Sequence, residues 1–430
     1  MSEIAFIHLS DIHFHKSSGN SVDIDADLRN AILFDIKENA KRNLQDIRGI
    51  LVGGDVAFAG QREEYNIAKE FLKEIAVSLE IDEKNIYCVP GNHDVDQQFI
   101  KSSKSVFDAQ SEIEKAETID LADQLLERYI LDPAGPNLLF KAIEEYNNFA
   151  VAFGCNINAD RPVWVEEFHL DNNMKLKIRG MNSCIISSHK DHECKEAIRK
   201  MIVGQSQIPP YENDVTWVAL CHHPLEFWKF ADEIRSKLNK RIDIQLYGHK
   251  HKHAIDANSE RLVVGAGAAH PERGKDWIPR YNWISFECIK EDSDRYIDVK
   301  TFPRVLSKDR DRFETDIANC DNGCIYYEYK INIDEKRRKN LQDGYASFQG
   351  VELKTNDRST VHKGIEKEIV YNFFELSHVQ QNEILVKLEL FRDDYAGKRY
   401  IEIIDRILAD ARKKMCLEEF EKLIKQKSKA

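Results

Sequence analysis

Long hydrophobic runs are missing from this 430-residue chain. No stretch comes near the ~18–20 consecutive apolar residues that a membrane span needs, so no membrane partner is expected. The first residues, MSEIAFIHLSDIHFH, lack the basic leader and long apolar core of a secretory signal, and Asp11 interrupts them early. A soluble, cytoplasmic protein is the expectation. The nine cysteines (Cys88, Cys155, Cys184, Cys194, Cys221, Cys288, Cys320, Cys324 and Cys416) are odd in number and irregularly spaced. That excludes a disulfide framework and predicts reduced thiols. Cys320 and Cys324 stand four apart, without the second pair that a zinc clip requires. Internal repeats and low-complexity tracts are also absent. Positive charge is in deficit, with 62 Lys and Arg against 74 Asp and Glu for a net −12. Residues 331–430 are nearly balanced, with 20 basic and 18 acidic side chains, so the acidic excess falls in the first 330. Polyanions are held mainly by Lys and Arg on their phosphates, so this balance weighs against a duplex-tracking nuclease.

What is present fits a globular enzyme with a large domain and a smaller one; 42% of the residues are hydrophobic and 32% charged. Short apolar runs recur, each ending in polar residues of metal-binding type. Ile4–Leu9 runs into Ser10 and Asp11, Gly49–Val52 into Gly53, Gly54 and Asp55, and Ile86–Val89 into Pro90, Gly91, Asn92, His93 and Asp94. Thr216–Leu220 leads to Cys221, His222, His223 and Pro224, and Ile242–Tyr247 to Gly248 and His249. Between the early runs, Tyr65, Ala68, Leu72, Ile75 and Leu79 fall on one helical face. Alternation of strand and helix predicts α/β layering, in which ligands sit beyond the carboxyl ends of strands. Residues 95–160 read as a helical insertion, and the stretch from 175 to 268 as sheet-rich. The cluster Asp334–Asn340 (DEKRRKN) suits a solvated connection. The expected division is a catalytic domain over 1–330, a linker over 331–369 and a small helical bundle over 370–430. In that bundle Ser377 and Gln380 form a capping box, followed by helical patterns at 400–413 and 417–424.

The polar clusters stand in the order Asp11-Ile12-His13, Gly54-Asp55, Gly91-Asn92-His93-Asp94, His222, and His249-Lys250-His251. Carboxylate, imidazole and amide oxygen without thiolate suit a catalytic Mn, Fe, Zn or Ni site better than a structural zinc. On an extended backbone, Asp11 and His13 would point the same way, as would His249 and His251. This series resembles the calcineurin-like metallophosphoesterase superfamily, whose DxH, GD, GNH[D/E], H and GHxH elements are matched in full and in order over roughly residues 1–300. The resemblance implies a four-layer α/β sandwich, two mixed sheets face to face with helices outside, where the motifs alone imply only α/β. It further implies two divalent ions, Mn²⁺ foremost. Asp11, His13 and His251 would hold the first, Asn92, His222 and His249 the second, and Asp55 would bridge them. His93 would stabilise charge or protonate the leaving oxygen, with Asp94 orienting its ring. His223 is read as a neighbour facing substrate. His15, His253 and His270 fit no ligand position, His8 reads as a satisfied core histidine, and Trp228, Phe227 and Tyr247 as core aromatics.

The function expected from these residues is metal-dependent hydrolysis of a small, nucleotide-like phosphodiester. The His-rich second site, the HHP element and the turn Gly180-Met181-Asn182-Ser183 are most similar to the cyclic-nucleotide phosphodiesterase branch. A nuclease acting on DNA or RNA, a protein phosphatase and a non-catalytic scaffold remain as alternatives. The last is weakened because no ligand of the set is missing. The C-terminal bundle resembles helical adaptor domains that accompany effector enzymes, which implies a protein partner through residues 370–430.

Overall fold

A computed structural model describes residues 3–15, 25–135, 137–193, 201–271, 278–342, 364–392, 395 and 400–427. Thirteen strands are described: β1 Ile4–Leu9, β2 Ile47–Val52, β3 Ile86–Cys88, β4 Trp164–His169, β5 Lys175–Gly180, β6 Val215–Cys221, β7 Ile244–Tyr247, β8 His253–Asn258, β9 Arg261–Ala266, β10 Arg280–Glu291, β11 Asp294–Leu306, β12 Phe313–Thr315 and β13 Tyr327–Asn332. They form two mixed sheets. The first runs β12-β11-β10-β1-β2-β3, with β13 also on β11, and the second runs β4-β5-β6-β7-β9-β8. In the first, β1, β2 and β3 are parallel while β10 and β11 return antiparallel. In the second, β5, β6, β7 and β9 are parallel, with antiparallel β4 and β8 at the edges. Helices flank both sheets, giving the four-layer sandwich expected from the resemblance.

The two sheets bury their facing side chains in a shared core, because strands this apolar must be covered on both faces. Phe6 of β1 meets Phe168 of β4 edge-on at 5.1 Å, and Tyr87 of β3 lies 6.1 Å from Trp164 of β4. The Trp164 indole Nε1–H donates to the carbonyl of Cys88 at 2.8 Å, so one buried ring links the ends of β3 and β4. Parallel β1-β2-β3 and β6-β7 place five loops at the carboxyl ends of their strands, and the two sheets bring those ends together.

Helices at Gln97–Ser102, Lys104–Glu114, Ile119–Ile130 and Glu144–Ala150 make up the insertion. It is packed onto segments beside the strand ends: Gln110 Nε2 donates to the carbonyls of Ile185 and Ser187, and Lys229 Nζ donates to those of Glu114 and Ala116. At the C-terminus four helices form the bundle, Gly364–Phe374, His378–Lys387, Tyr400–Lys413 and Leu417–Lys427. The capping box at Ser377 and Gln380 is present. The first of these helices begins inside the stretch expected as linker; its Ile369, Val370 and Phe373 are buried in a cluster that includes Val151 of the catalytic domain. No helix among the described residues is long and apolar enough to cross a membrane.

The charge cluster after β13 departs from the expected solvated connection. Residues Ile333–Gln342 form a helix held against the catalytic sheets by ion pairs. Asp334 accepts from the Arg295 guanidinium at 2.7 and 3.0 Å, and Lys336 Nζ lies 2.7 Å from Asp243 with both side chains 9% exposed. Composition signalled solvent, but four of these six charges, Asp334, Lys336, Arg337 and Arg338, pair with residues distant in the chain. Most of the remaining expected linker lies outside the described residues. Removing one member of a buried pair strands the other charge, which costs about 3–5 kcal/mol. Lys336→Ala is therefore expected to lower the unfolding free energy of the catalytic domain by about 3 kcal/mol in urea titration, close to the lower end of that range. A loss below about 0.5 kcal/mol, the size of an exposed-pair effect, would return this helix to the status of a linker.

Candidate metal centre

Each cluster anticipated in the sequence lies at a strand end, and the backbone ties the loops to one another. Asp11 N–H donates to the carbonyl of Gly54, Ile12 and His13 N–H to that of Asp55, and Gly248 N–H to that of His222. The period-two geometry expected of the DxH and GHxH segments is not what positions their side chains. β1 ends at Leu9 and β7 at Tyr247, and Asp11 (φ 53°), His13 (φ 50°), Asp55 (φ 51°), His249 (φ 67°) and His251 (φ 55°) are all left-handed. Asp and His tolerate this region better than most residues, at a cost of order 1–2 kcal/mol each. Such strain concentrated on five chemically special residues marks a functional site. Gly91 is needed for contact: a Cβ there would lie 2.1 Å from Asp55 Oδ1.

All seven expected ligands converge. Asp11, His13 and His251 offer atoms within 4.8 Å of one another, as do Asp11, Asp55 and His222. His13 Nε2 is 3.3 Å from His251 Nε2, which is 3.3 Å from Asp11 Oδ1. On the other side, Asn92 Oδ1 lies 3.1 Å from His222 Nε2 and 3.0 Å from His249 Nδ1, and Asp55 Oδ2 lies 3.2 Å from His222 Nε2. Asp55 stands between the two sets, and its other oxygen accepts the backbone N–H of His93 at 2.8 Å.

The donor chemistry fits metal ions. His222 Nδ1 is 2.9 Å from the carbonyl of Gly53, which can only accept, so Nδ1 carries a proton and Nε2, facing Asp55 and Asn92, is the nitrogen that could ligate an ion. Two buried acceptor oxygens and this nitrogen, gathered away from water, require positive charge between them, either a proton on Nε2 or a metal ion. Burial alone would lower the pKa of His222, but the charge and hydrogen bond of Asp55, with Asp11 beyond, raise it to about 9. Asp55 is held well below the carboxylate range: burial opposes this, and His222, His93 and His13 outweigh it. Burial lowers His13 and His249 to about 4, leaving neutral imidazoles suited to ligation.

The residues expected in catalytic roles are placed differently from one another. His93 is half-buried, its ring 4.7 Å from that of His13, and its Nδ1–H donates to the carbonyl of Phe58 at 2.7 Å. Asp94 does not orient that ring. Its carboxylate is taken up by the backbone N–H groups of Val56, Ala57 and Gly91 and by the Tyr65 hydroxyl, at 2.8 to 3.2 Å. Burial and the nearby Asp55 raise Asp94 to about 6 against the pull of those donors. It is thus a buried post joining the Asp55 and Asn92 loops, and the ring of His93 is oriented by a main-chain carbonyl. His223 is buried as well, its Nδ1 2.8 Å from Ser183 Oγ and its ring 4.4 Å from His249. It joins His222 and His249 as a third potential ligand nitrogen.

Sequence reasoning missed Ser10, Phe58, Tyr65 and Ser183. Ser10 Oγ–H donates to Asp11 Oδ2 at 2.6 Å, and Ser183 sits in the turn noted only for its likeness to one branch. Tyr65 had a visible signal, but only as an apolar helix position; its hydroxyl role needs the fold. His15 stacks on Phe58 at 4.1 Å, His270 meets Asp25 at 3.1 Å, and His253 opens β8. His8 is buried, but neither ring nitrogen has a partner among the described residues, so it is not the satisfied histidine expected. Trp228 and Tyr247 are core residues, whereas Phe227 meets His249 edge-on at 4.6 Å and is only partly buried.

The chain is similar to several known proteins. The profile of the GTPase-associated adaptor domain matches residues 365–426, within the helical bundle. YydB of Bacillus subtilis strain 168, a metallophosphoesterase-like protein, is 24% identical over 411 residues, covering 91% of this chain and 73% of its own. Among solved structures, a proposed 5′-nucleotidase of Staphylococcus aureus is 14% identical with a TM-score of 0.36, covering 80% of this chain; the chain spans only 58% of that protein. GAP50, the anchor in the inner membrane complex of Plasmodium, is 13% identical with a TM-score of 0.37, covering 80% of this chain and 94% of its own. The profile of calcineurin-like phosphoesterases matches residues 4–253, more than half of the chain and the whole span from β1 to the start of β8, and this protein belongs to that family.

Proposed function

We propose that this protein is a metal-dependent phosphoric ester hydrolase acting on a small, nucleotide-like phosphodiester. The observation that carries the reading is the convergence of Asp11, His13, Asp55, Asn92, His222, His249 and His251 at five strand ends, with ligand atoms of both sets gathered around Asp55. Two divalent ions, with Mn²⁺ the expected metal, would be held by Asp11, His13 and His251 on one side and by Asn92, His222 and His249 on the other, Asp55 reaching both. Bound there, the ions supply the positive charge that stabilises phosphoryl oxygens and activates water. Asp94 braces the Asp55 and Asn92 loops, with the Tyr65 hydroxyl bonded to its free side. His93 faces the leaving group. Because Phe58 fixes the proton on Nδ1, His93 donates to the leaving oxygen from Nε2 only as the imidazolium.

The acidic balance of the first 330 residues supports a small substrate over a long polyanion, and the cytoplasm is proposed as the place of action. The helical bundle is proposed to carry a protein partner. Its match to an adaptor domain supports this, as do exposed Val379 and Val386, seven residues apart on one helix.

Purified protein with Mn²⁺ is expected to hydrolyse bis(p-nitrophenyl) phosphate; no turnover with Mn²⁺, Fe²⁺, Zn²⁺ or Ni²⁺ sinks the reading. Asp55→Asn should reduce bound metal, measured by elemental analysis, together with activity. His93→Ala should keep near-normal metal while turnover falls by roughly 10²–10⁴, the range for losing a general acid or charge-stabilising donor. Loss of metal in His93→Ala would overturn the division of roles. With a single-nucleotide diester, kcat/KM should change little between about 50 and 200 mM salt, because few counterions are released. A fall of orders of magnitude across that range would point to a nuclease.

A further inference from the structure

Phe58 lies three residues beyond Asp55, and its ring remains 40% exposed although it stands at the centre's edge. Its centroid is 5.4 Å from His93, 6.4 Å from His13 and 4.1 Å from His15, whose ring packs against it with a 33° tilt. An isolated exposed apolar side chain is ordinary on a protein surface. This one is different because its own carbonyl holds the His93 ring, so the side chain and the leaving-group donor belong to one rigid unit.

Resting on the phosphodiesterase reading above, we infer that Phe58 is the wall against which the leaving group lies, and that this group carries a flat heteroaromatic ring of the nucleobase class. In-line displacement puts the leaving oxygen opposite the attacking water, at the His93 side of the centre. Atoms beyond that oxygen extend away from the buried carboxylates and pass the neighbouring ring, which is Phe58. A serine or threonine side chain is too short and has no π-face to cover it. A nucleobase covers it, and base–aromatic stacking tolerates any base. A second aromatic ring near the centre, Phe227, is instead edge-on to His249, which belongs to the other ligand set.

AMP and ribose 5-phosphate differ only in the base and so isolate the contact. Titrated calorimetrically into Mn²⁺-loaded full-length protein, AMP is expected to bind roughly tenfold more tightly than ribose 5-phosphate, within the range for one base–aromatic stack. Phe58→Ala and Phe58→Leu should both abolish that preference, with bound metal and melting temperature showing that each variant is folded and loaded. The leucine variant keeps bulk and removes the π-face. An absent preference in the wild type, a preference that survives either substitution, or one lost in Phe227→Ala and kept in Phe58→Ala would each overturn the assignment. If neither ligand binds and bis(p-nitrophenyl) phosphate is not hydrolysed, the phosphoesterase reading itself fails and takes this inference with it. Turnover with an unchanged AMP preference in the Phe58 variants removes the inference alone.

Discussion

Everything around the centre follows from gathering acceptors with too few protons between them. Asp55 meets Nε2 of His222, Asn92 faces two imidazole nitrogens, and His13 and His251 point at each other. Left to themselves these groups would separate, since buried acceptors without donors cost several kcal/mol. Two sheets, each with a parallel set of strands, hold them in place, because the loops leave from strand ends that the inter-sheet core has already fixed. The left-handed φ of five of these residues is the local sign of that imposed geometry.

Holding the loops takes polar groups that never meet substrate. Asp94 gathers three main-chain N–H groups and one hydroxyl, and the ring of Tyr65 stacks on Phe149 of the insertion at 5.2 Å. Burial and Asp55 push this carboxyl upward while its donors pull it back, so the same hydrogen bonds that favour the ionised form also fix its position. Under the proposed function this gives a division of labour within GNHD: asparagine at the ions, histidine at the leaving group, aspartate in the frame.

The bundle reaches the same frame from outside. Its first helix buries Ile369, Val370 and Phe373 in a cluster that includes Val151, and Glu375 pairs with Lys69 at 2.8 Å on the helix that also carries Tyr65. The surface pair is worth little alone. The apolar cluster does most of the joining, so the adaptor-like region and the helix bracing the centre share a mechanical connection.

The α/β class, the helices between 97 and 150, the C-terminal helical unit and the polar residues that meet at the strand ends were legible in the sequence. Each rests on local signals: apolar runs that end in Asp, Asn or His, a capping box at Ser377, and spacing that repeats within a few residues. What the sequence could not show depends on partners far apart in the chain. The charged stretch at 334–340 became a packed helix because Asp243, Arg295 and Asp214 wait on other elements. Asp94 turned from His93 to Tyr65 because a helix 29 residues earlier presents a hydroxyl to it. Phe58 acquired its place beside His93 only when two loops from neighbouring strands closed on each other. Residue type and order determine which chemistry the chain can perform. Long-range packing decides which of two adjacent side chains touches the reacting atoms, because burial and hydrogen-bond geometry are properties of the assembled structure.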